Sequence, residues 1–160
     1  NISGASVADD DFLEFALELF HEQHELSPYI CLEVTETAAI ENLSRAVDFM
    51  QRLKELGVAF ALDDFGNGFS SFAYLKTLPV DYLKLDGSFV RGIDQDPIDR
   101  SMVKTVNRIG HVIGMKTIAE FVRNQEIQDI VESFGVDYIQ GFHIARPAPL
   151  EALDEDKAIG

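Results

Sequence analysis

The sequence predicts an α/β protein, and within that class a β/α barrel, from three observations. Amphipathic helical patterns alternate with short apolar runs, the order expected of parallel strands joined by helical crossovers rather than of a bundle or a sandwich. Each apolar run ends in a polar residue: Glu33, Asp63, Lys84 with Asp86, Glu120 and Gln140. These recur at separations of about 20 to 36 residues, which suits successive strand-helix units whose C-terminal strand ends converge on one site.

Strands are expected over residues 30–34, 58–62, 82–85, 116–119 and 138–140, and helices near 11–23, 43–56, 97–113 and 125–134. In the second helix Ala46, Phe49, Met50 and Leu53 recur at helical spacing, and Gly57 follows as the stop. Alternation places Cys31, Glu33 and Thr35 on one face of the first strand and Ala59, Ala61 and Asp63 on one face of the second, so small residues sit beneath the carboxylates. An open doubly wound sheet would also gather loops at its strand ends, but no Gly-x-Gly-x-x-Gly phosphate loop follows a strand, and the barrel is preferred. Five strands are too few to close an eight-stranded barrel and would leave an open edge. The chain also starts at Asn1 without a methionine. A fragment of a longer domain is therefore expected, with residues 1–150 as the partial domain and 151–160 as a polar tail beyond Pro147 and Pro149.

With 160 residues, 46% hydrophobic and 26% charged, the composition is that of one globular domain with a buried core. A formal charge of −15, from 28 acidic and 13 basic side chains, repels polyanions, so DNA and RNA are not expected partners. Cys31 is the single cysteine, which rules out an intramolecular disulfide; it lies in an apolar run and is expected to be a small buried residue, in keeping with a reducing compartment such as the cytoplasm. No run approaches the roughly 18 apolar residues of a membrane span, and the N-terminus lacks signal-peptide order, so membrane insertion is not expected.

Chemistry concentrates at the strand ends. In Ala61-Leu62-Asp63-Asp64-Phe65-Gly66-Asn67-Gly68 two carboxylates sit where a strand breaks into a Gly-rich loop. Adjacent anions are tolerated when solvated, protonated or bound to cations, and hard oxygen donors suit Mg²⁺ or Mn²⁺; a strand end followed by a helix cap is the alternative. Glu33 shares the inward parity of Asp63 and can reach the same metal, or it forms a structural salt bridge. Asn1 supplies a neutral oxygen if it ends a preceding strand. Lys84, flanked by leucines that face the other way, points into the mouth, where it can stabilise phosphate charge or position water; a buried pair with Asp86 is the alternative. Glu120 and Gln140 repeat the pattern of a polar residue closing an apolar run. His21, His24 and His111 read as solvated side chains without zinc-motif spacing, while His143 either packs or touches a base or ribose.

In order, Asn1-Ile2-Ser3-Gly4, Glu33-Val34-Thr35-Glu36-Thr37, Asp63-Asp64-Phe65-Gly66, Lys84-Leu85-Asp86, Ala119-Glu120 and Gln140-Gly141-Phe142 resemble the successive motifs of EAL domains, from Asn1 to about Leu150. The resemblance implies a modified TIM-type β/α barrel, incomplete here at its N-terminal strands. It also implies a two-metal phosphodiesterase that opens cyclic di-GMP to linear pGpG with Mg²⁺ or Mn²⁺. On that reading Asn1, Glu33, Asp63 and Asp64 match metal ligands; Lys84, Glu120 and Gln140 match groups around the nucleophilic water; Glu36 matches the anchor of the loop from Asp64 to Ser71. A homodimer, and fusion to sensory or GGDEF domains, are further implications.

Three departures stand against the family pattern. The Glu-x-Leu strand is expected to lie upstream of Asn1, Arg123 replaces a common Glu, and Asn67 and Phe69 replace the Thr and Tyr often found in the loop. Two expectations follow: a phosphodiesterase whose first metal-ligating strand is outside this chain, or a degenerate EAL domain acting as a cyclic di-GMP receptor or protein-interaction module.

Overall fold

The computed structural model describes residues 1–66 and 72–149; Asn67, Phe69 and the expected tail 151–160 lie outside them. Five parallel strands form one sheet in chain order: β1 (Cys31–Thr35), β2 (Ala59–Phe65), β3 (Tyr82–Leu85), β4 (Lys116–Ala119) and β5 (Tyr138–Ile139). A doubly wound sheet reverses its order at a switch point. This sheet does not, and it runs as the wall of a barrel does. Next to β1, Ile2 bridges Val34 in parallel and its amide donates to the Glu33 carbonyl at 2.8 Å, so the N-terminal residues occupy the following position along the wall.

Seven α-helices are described: α1 (Gly4–Val7), α2 (Asp10–Glu22), α3 (Glu36–Glu41), α4 (Leu43–Lys54), α5 (Gly87–Gly92), α6 (Pro97–Ile113) and α7 (Gln125–Ser133). The four long ones fall within two residues of their expected bounds, because each has an apolar stripe and a start or stop signal. Asp9, Asp96 and Asn124 cap α2, α6 and α7, and Gly114, at φ +94°, stops α6. The short helices α1, α3 and α5 were not expected, since four to six residues are too few to show a helical period. Their signal is local: Ser3, Thr35 and Asp86 accept hydrogen bonds from the amides of Ser6, Ala38 and Ser88.

The core lies between the outer face of the sheet and the helices. Val34, Phe60, Leu62, Leu83, Leu85 and Ala119 point outward and are buried against stripes such as Ala46, Phe49, Met50 and Leu53 of α4. The inner face is open. A shallow cavity of about 370 Å³ on the helix side is separate from one of about 360 Å³ along the inner face, lined by Cys31, Glu33, Ala59, Ala61, Tyr82 and Ile118 among others. Cys31 is therefore exposed, not buried as its apolar neighbours suggest. Its parity is that of Glu33, and among the described residues no helix packs on the inner face it shares.

His111 also departs from expectation. It is not simply solvated: its Nε2 lies 2.7 Å from Asp137 Oδ2, which also accepts from the Thr117 amide at 2.8 Å and the Thr117 hydroxyl at 3.1 Å. Although burial pushes the Asp137 carboxyl up, bonds from Thr117 and His111 hold it below the usual carboxylate range. A carboxyl with a depressed folded pKa contributes stability above its unfolded pKa of about 3.9, and loses it as pH falls toward the folded value. Asp137→Asn should cost about 1–3 kcal/mol at pH 7. Urea unfolding at pH 7 and pH 3 checks this, with the difference from the unsubstituted chain expected to shrink at pH 3.

Candidate active site at the strand ends

The C-terminal ends of β1 to β4 bring four charged groups together. The pairing of β2 with β3 shifts register between Leu62 and Phe65, and Asp64 adopts φ 55°. A bulge at a strand end re-aims side chains. Here Asp63 stays on the inner face while Asp64 is turned to solvent, its amide donating to Asp63 Oδ1 at 3.0 Å. Lys84, only 4% exposed, sits at the centre: its Nζ is 3.0 Å from Glu33 Oε1, 3.0 Å from Asp63 Oδ1 and 2.9 Å from Glu120 Oε1. The bland alternative for Lys84 fails, because Asp86 instead caps α5, accepting from the Ser88 amide at 2.7 Å. For Glu33 the salt bridge is present, and its partner is Lys84.

The charges in this cluster perturb one another. Burial pulls the Lys84 ammonium down, but hydrogen bonds to Glu120, Asp63 and Glu33 outweigh it and hold the group above the ordinary lysine range. It remains a cation at neutral pH. For Glu120, burial wins in the other direction: it raises the carboxyl against the pull of Lys84, and Asp63 and Glu33 add to the rise. Asp64 is raised by partial desolvation and by the neighbouring Asp63 and Asp86.

Asp63, Asp64 and Glu120 each offer a carboxylate oxygen, all within 4.8 Å of one another. An all-oxygen, anionic donor set of that kind fits Mg²⁺ or Mn²⁺ and does not fit soft metals. Glu33 joins this group through Lys84, and the bridge of Ile2 to Val34 sets the exposed Asn1 one residue before the point where the N-terminal segment meets β1. Gln140 extends from the end of β5. Its amide donates to the Ala119 carbonyl at 2.8 Å, its carbonyl accepts from the Val122 amide at 3.1 Å, and its exposed side chain borders a cleft of about 540 Å³ that also reaches Glu120. Glu36, buried at the start of α3, accepts from the Gly66 amide at 3.1 Å and from the Tyr74 hydroxyl, which ties down the chain where β2 ends. Loop residues 67–71 lie outside the described residues.

Sequence reasoning missed the wall of the cleft apart from Arg123. Arg91, Arg123 and Arg146 line it, with Arg91 Cζ 3.9 Å from the centroid of the Phe121 ring and Arg146 Cζ 5.4 Å from that of Phe142. These residues lie on three segments with no shared spacing, so no motif announces them. Arg123 does not pair with the carboxylate cluster; it meets Asp94, 7% exposed, at 3.2 Å. His143 is exposed with its Nε2 3.4 Å from Gln125 Oε1, and His21 and His24 are exposed as well.

A parallel barrel-like wall with carboxylates and a lysine gathered at its strand ends defines a class: β/α-barrel proteins with an acidic cluster at the strand ends that could hold a divalent cation. A family model for the EAL domain matches residues 1–147, and the chain belongs to that family. It is 42% identical over 155 residues to cyclic di-GMP phosphodiesterase PdeB of Shewanella oneidensis and 40% identical over 150 residues to cyclic di-GMP phosphodiesterase PdeA of Borreliella burgdorferi. These alignments take in 97% and 94% of this chain but only 18% and 22% of those proteins. Among solved structures, the PaMucR phosphodiesterase in complex with c-di-GMP superposes with a TM-score of 0.87 at 30% identity, covering 94% of this chain and 61% of that one. The EAL domain of Mycobacterium smegmatis DcpA gives 0.83 at 31%, covering 92% and 66%. The chain is thus a partial EAL domain with the α/β, TIM-barrel-like fold of that family. Among the described residues no helix is long and apolar enough to cross a membrane.

Proposed function

We propose that this chain is the C-terminal two thirds of an EAL domain, residues 1–150 with a polar tail at 151–160, and that the completed domain hydrolyses cyclic di-GMP to linear pGpG using Mg²⁺ or Mn²⁺. The observation that carries the reading is the convergence of Glu33, Asp63 and Glu120, from three different strand ends, on Lys84 at 2.9–3.0 Å. Its relatives PdeB and PdeA are named as phosphodiesterases for that substrate. Asn1, Glu33, Asp63 and Asp64 are the groups assigned to hold the ions, which when bound supply charge neutralisation and acidify water.

The protein's own groups then divide the work. Lys84, held among Glu33, Asp63 and Glu120, offers positive charge to a phosphoryl oxygen. Glu120, held above its ordinary range, takes the proton of the attacking water. The water oxygen bonds to phosphorus as the P–O3′ bond breaks, and the departing O3′ takes a proton from solvent, to which Glu120 returns the one it accepted. Gln140 orients that water from the adjacent strand end. Glu36 anchors the loop after β2 through Gly66. The arginine-lined cleft gives an otherwise acidic chain a local cationic surface for a nucleotide.

Arg123 is engaged by Asp94, so its charge does not by itself favour the non-catalytic receptor reading. The open inner face calls for cover, supplied by upstream strands of the same domain and by pairing of domains as a homodimer. A cytoplasmic location and attached sensory or GGDEF domains complete the proposal; LapD of Vibrio cholerae, 22% identical and alike in fold, has a solved S helix-GGDEF-EAL form. The test is turnover of cyclic di-GMP with Mn²⁺ by this chain and by a version extended upstream. Production of pGpG by the extended version alone supports the proposal; nucleotide binding without cleavage by that version overturns it in favour of a receptor.

A further inference from the structure

The turn that carries Glu120 is gripped from two sides by glycines. Glu120 is followed by Phe121, at φ 55°, then by Val122 and Arg123. On one side lies Gly87, the first residue of α5, where an added Cβ would stand 2.1 Å from Phe121 Cδ2 and 2.6 Å from Cε2. On the other lies Gly141, where a Cβ would stand 2.2 Å from the Val122 carbonyl oxygen and 2.5 Å from its nitrogen. That second contact is backbone on backbone: the Val122 amide donates to Gln140 O at 3.1 Å, and the His143 amide donates to Val122 O at 3.2 Å. Arg91 covers the Phe121 ring at 3.9 Å, and Arg123 is tied to Asp94 at 3.2 Å.

A left-handed backbone is unfavourable for a residue with a Cβ, and at Phe121 it persists only because the surroundings impose it. The ring is 48% exposed but lies against Gly87 with Arg91 over its face, so a methyl group placed at position 87 must push it out of that contact and pull on the left-handed turn behind it. The peptide between Glu120 and Phe121 sets the direction from which the Glu120 carboxylate meets Lys84 at 2.9 Å. We infer that Phe121 and Gly87 form a matched pair whose contact positions Glu120, making Phe121 a positioning residue for the reaction. This rests on the proposed phosphodiesterase reading.

The experiment uses the upstream-extended protein with cyclic di-GMP and Mn²⁺, comparing the unsubstituted form, Gly87→Ala, Phe121→Gly and the double variant by kcat, KM and thermal unfolding midpoint. Displacing a reacting group by about an ångström costs on the order of 10²-fold in rate. Gly87→Ala is expected to lower kcat by about that factor with KM within about threefold, whereas adding it to Phe121→Gly should change kcat by less than about threefold. The midpoint should show the same coupling. Full kcat in Gly87→Ala, or a loss that simply adds to that of Phe121→Gly, overturns the inference. Coupling seen in the midpoint but not in kcat also overturns it, since the contact would then be structural alone. An unsubstituted protein that does not turn over substrate sinks the phosphodiesterase reading, an outcome distinct from an active protein indifferent to Gly87→Ala.

Discussion

Asp63→Asn in the upstream-extended protein is expected to lower kcat by on the order of 10³-fold, ~4 kcal/mol of transition-state stabilisation, with the fold kept. The side chains are nearly isosteric, and Lys84 retains Glu33 and Glu120 as partners at 3.0 and 2.9 Å, so the cluster need not collapse. What changes is the donor set: one of the three carboxylates that approach within 4.8 Å becomes a neutral amide at the point where β2 bulges. Release of pGpG under saturating Mn²⁺, read beside far-UV circular dichroism, checks this. Unchanged turnover would remove Asp63 from the metal site.

Lys84→Met has its largest expected effect on stability. The ammonium is buried and is the shared partner of three carboxylates. Removing one side of a buried ion pair leaves uncompensated charge, at a cost of about 3–5 kcal/mol. In metal-free protein Lys84→Met should therefore lower stability by about that amount at pH 7. Without the lysine, the burial that already raises Glu120 acts unopposed. A carboxyl with a raised folded pKa stabilises the folded state below its unfolded pKa, and that contribution fades as pH rises through the folded value. The deficit should accordingly shrink as pH is lowered from 7 toward 5, and saturating Mn²⁺ should recover part of it by mass action. Urea unfolding with and without Mn²⁺ at the two pH values decides the matter; a variant as stable as the unsubstituted protein at pH 7 would show that Lys84 does not hold the cluster together.

The long helices and all five strands were legible because each rests on a local signal. The stripe Ala46, Phe49, Met50 and Leu53 with Gly57 beyond it marks α4, and Pro97 with Gly114 brackets α6. The inward carboxylates were legible for the same reason, since strand alternation assigns Glu33, Asp63 and Lys84 to one face whatever lies across from them. Cys31 shows the limit of this logic. Parity placed it beneath Glu33, but whether that face is covered depends on what packs there, which no local pattern states.

By itself, then, the sequence determined the α/β class, the order of strands and the identity of the charged groups at their ends, because periodicity and parity are properties of the chain. Only the tertiary structure decided how those groups are shared. It gave Lys84 to Glu33, Asp63 and Glu120 rather than to Asp86, set Arg123 on Asp94 rather than among the carboxylates, and pressed Phe121 onto Gly87. Those choices join residues 21 to 51 positions apart, and they follow from strand register, the bulge in β2 and the close approach of backbones at glycine, none of which is encoded in the spacing of residue types.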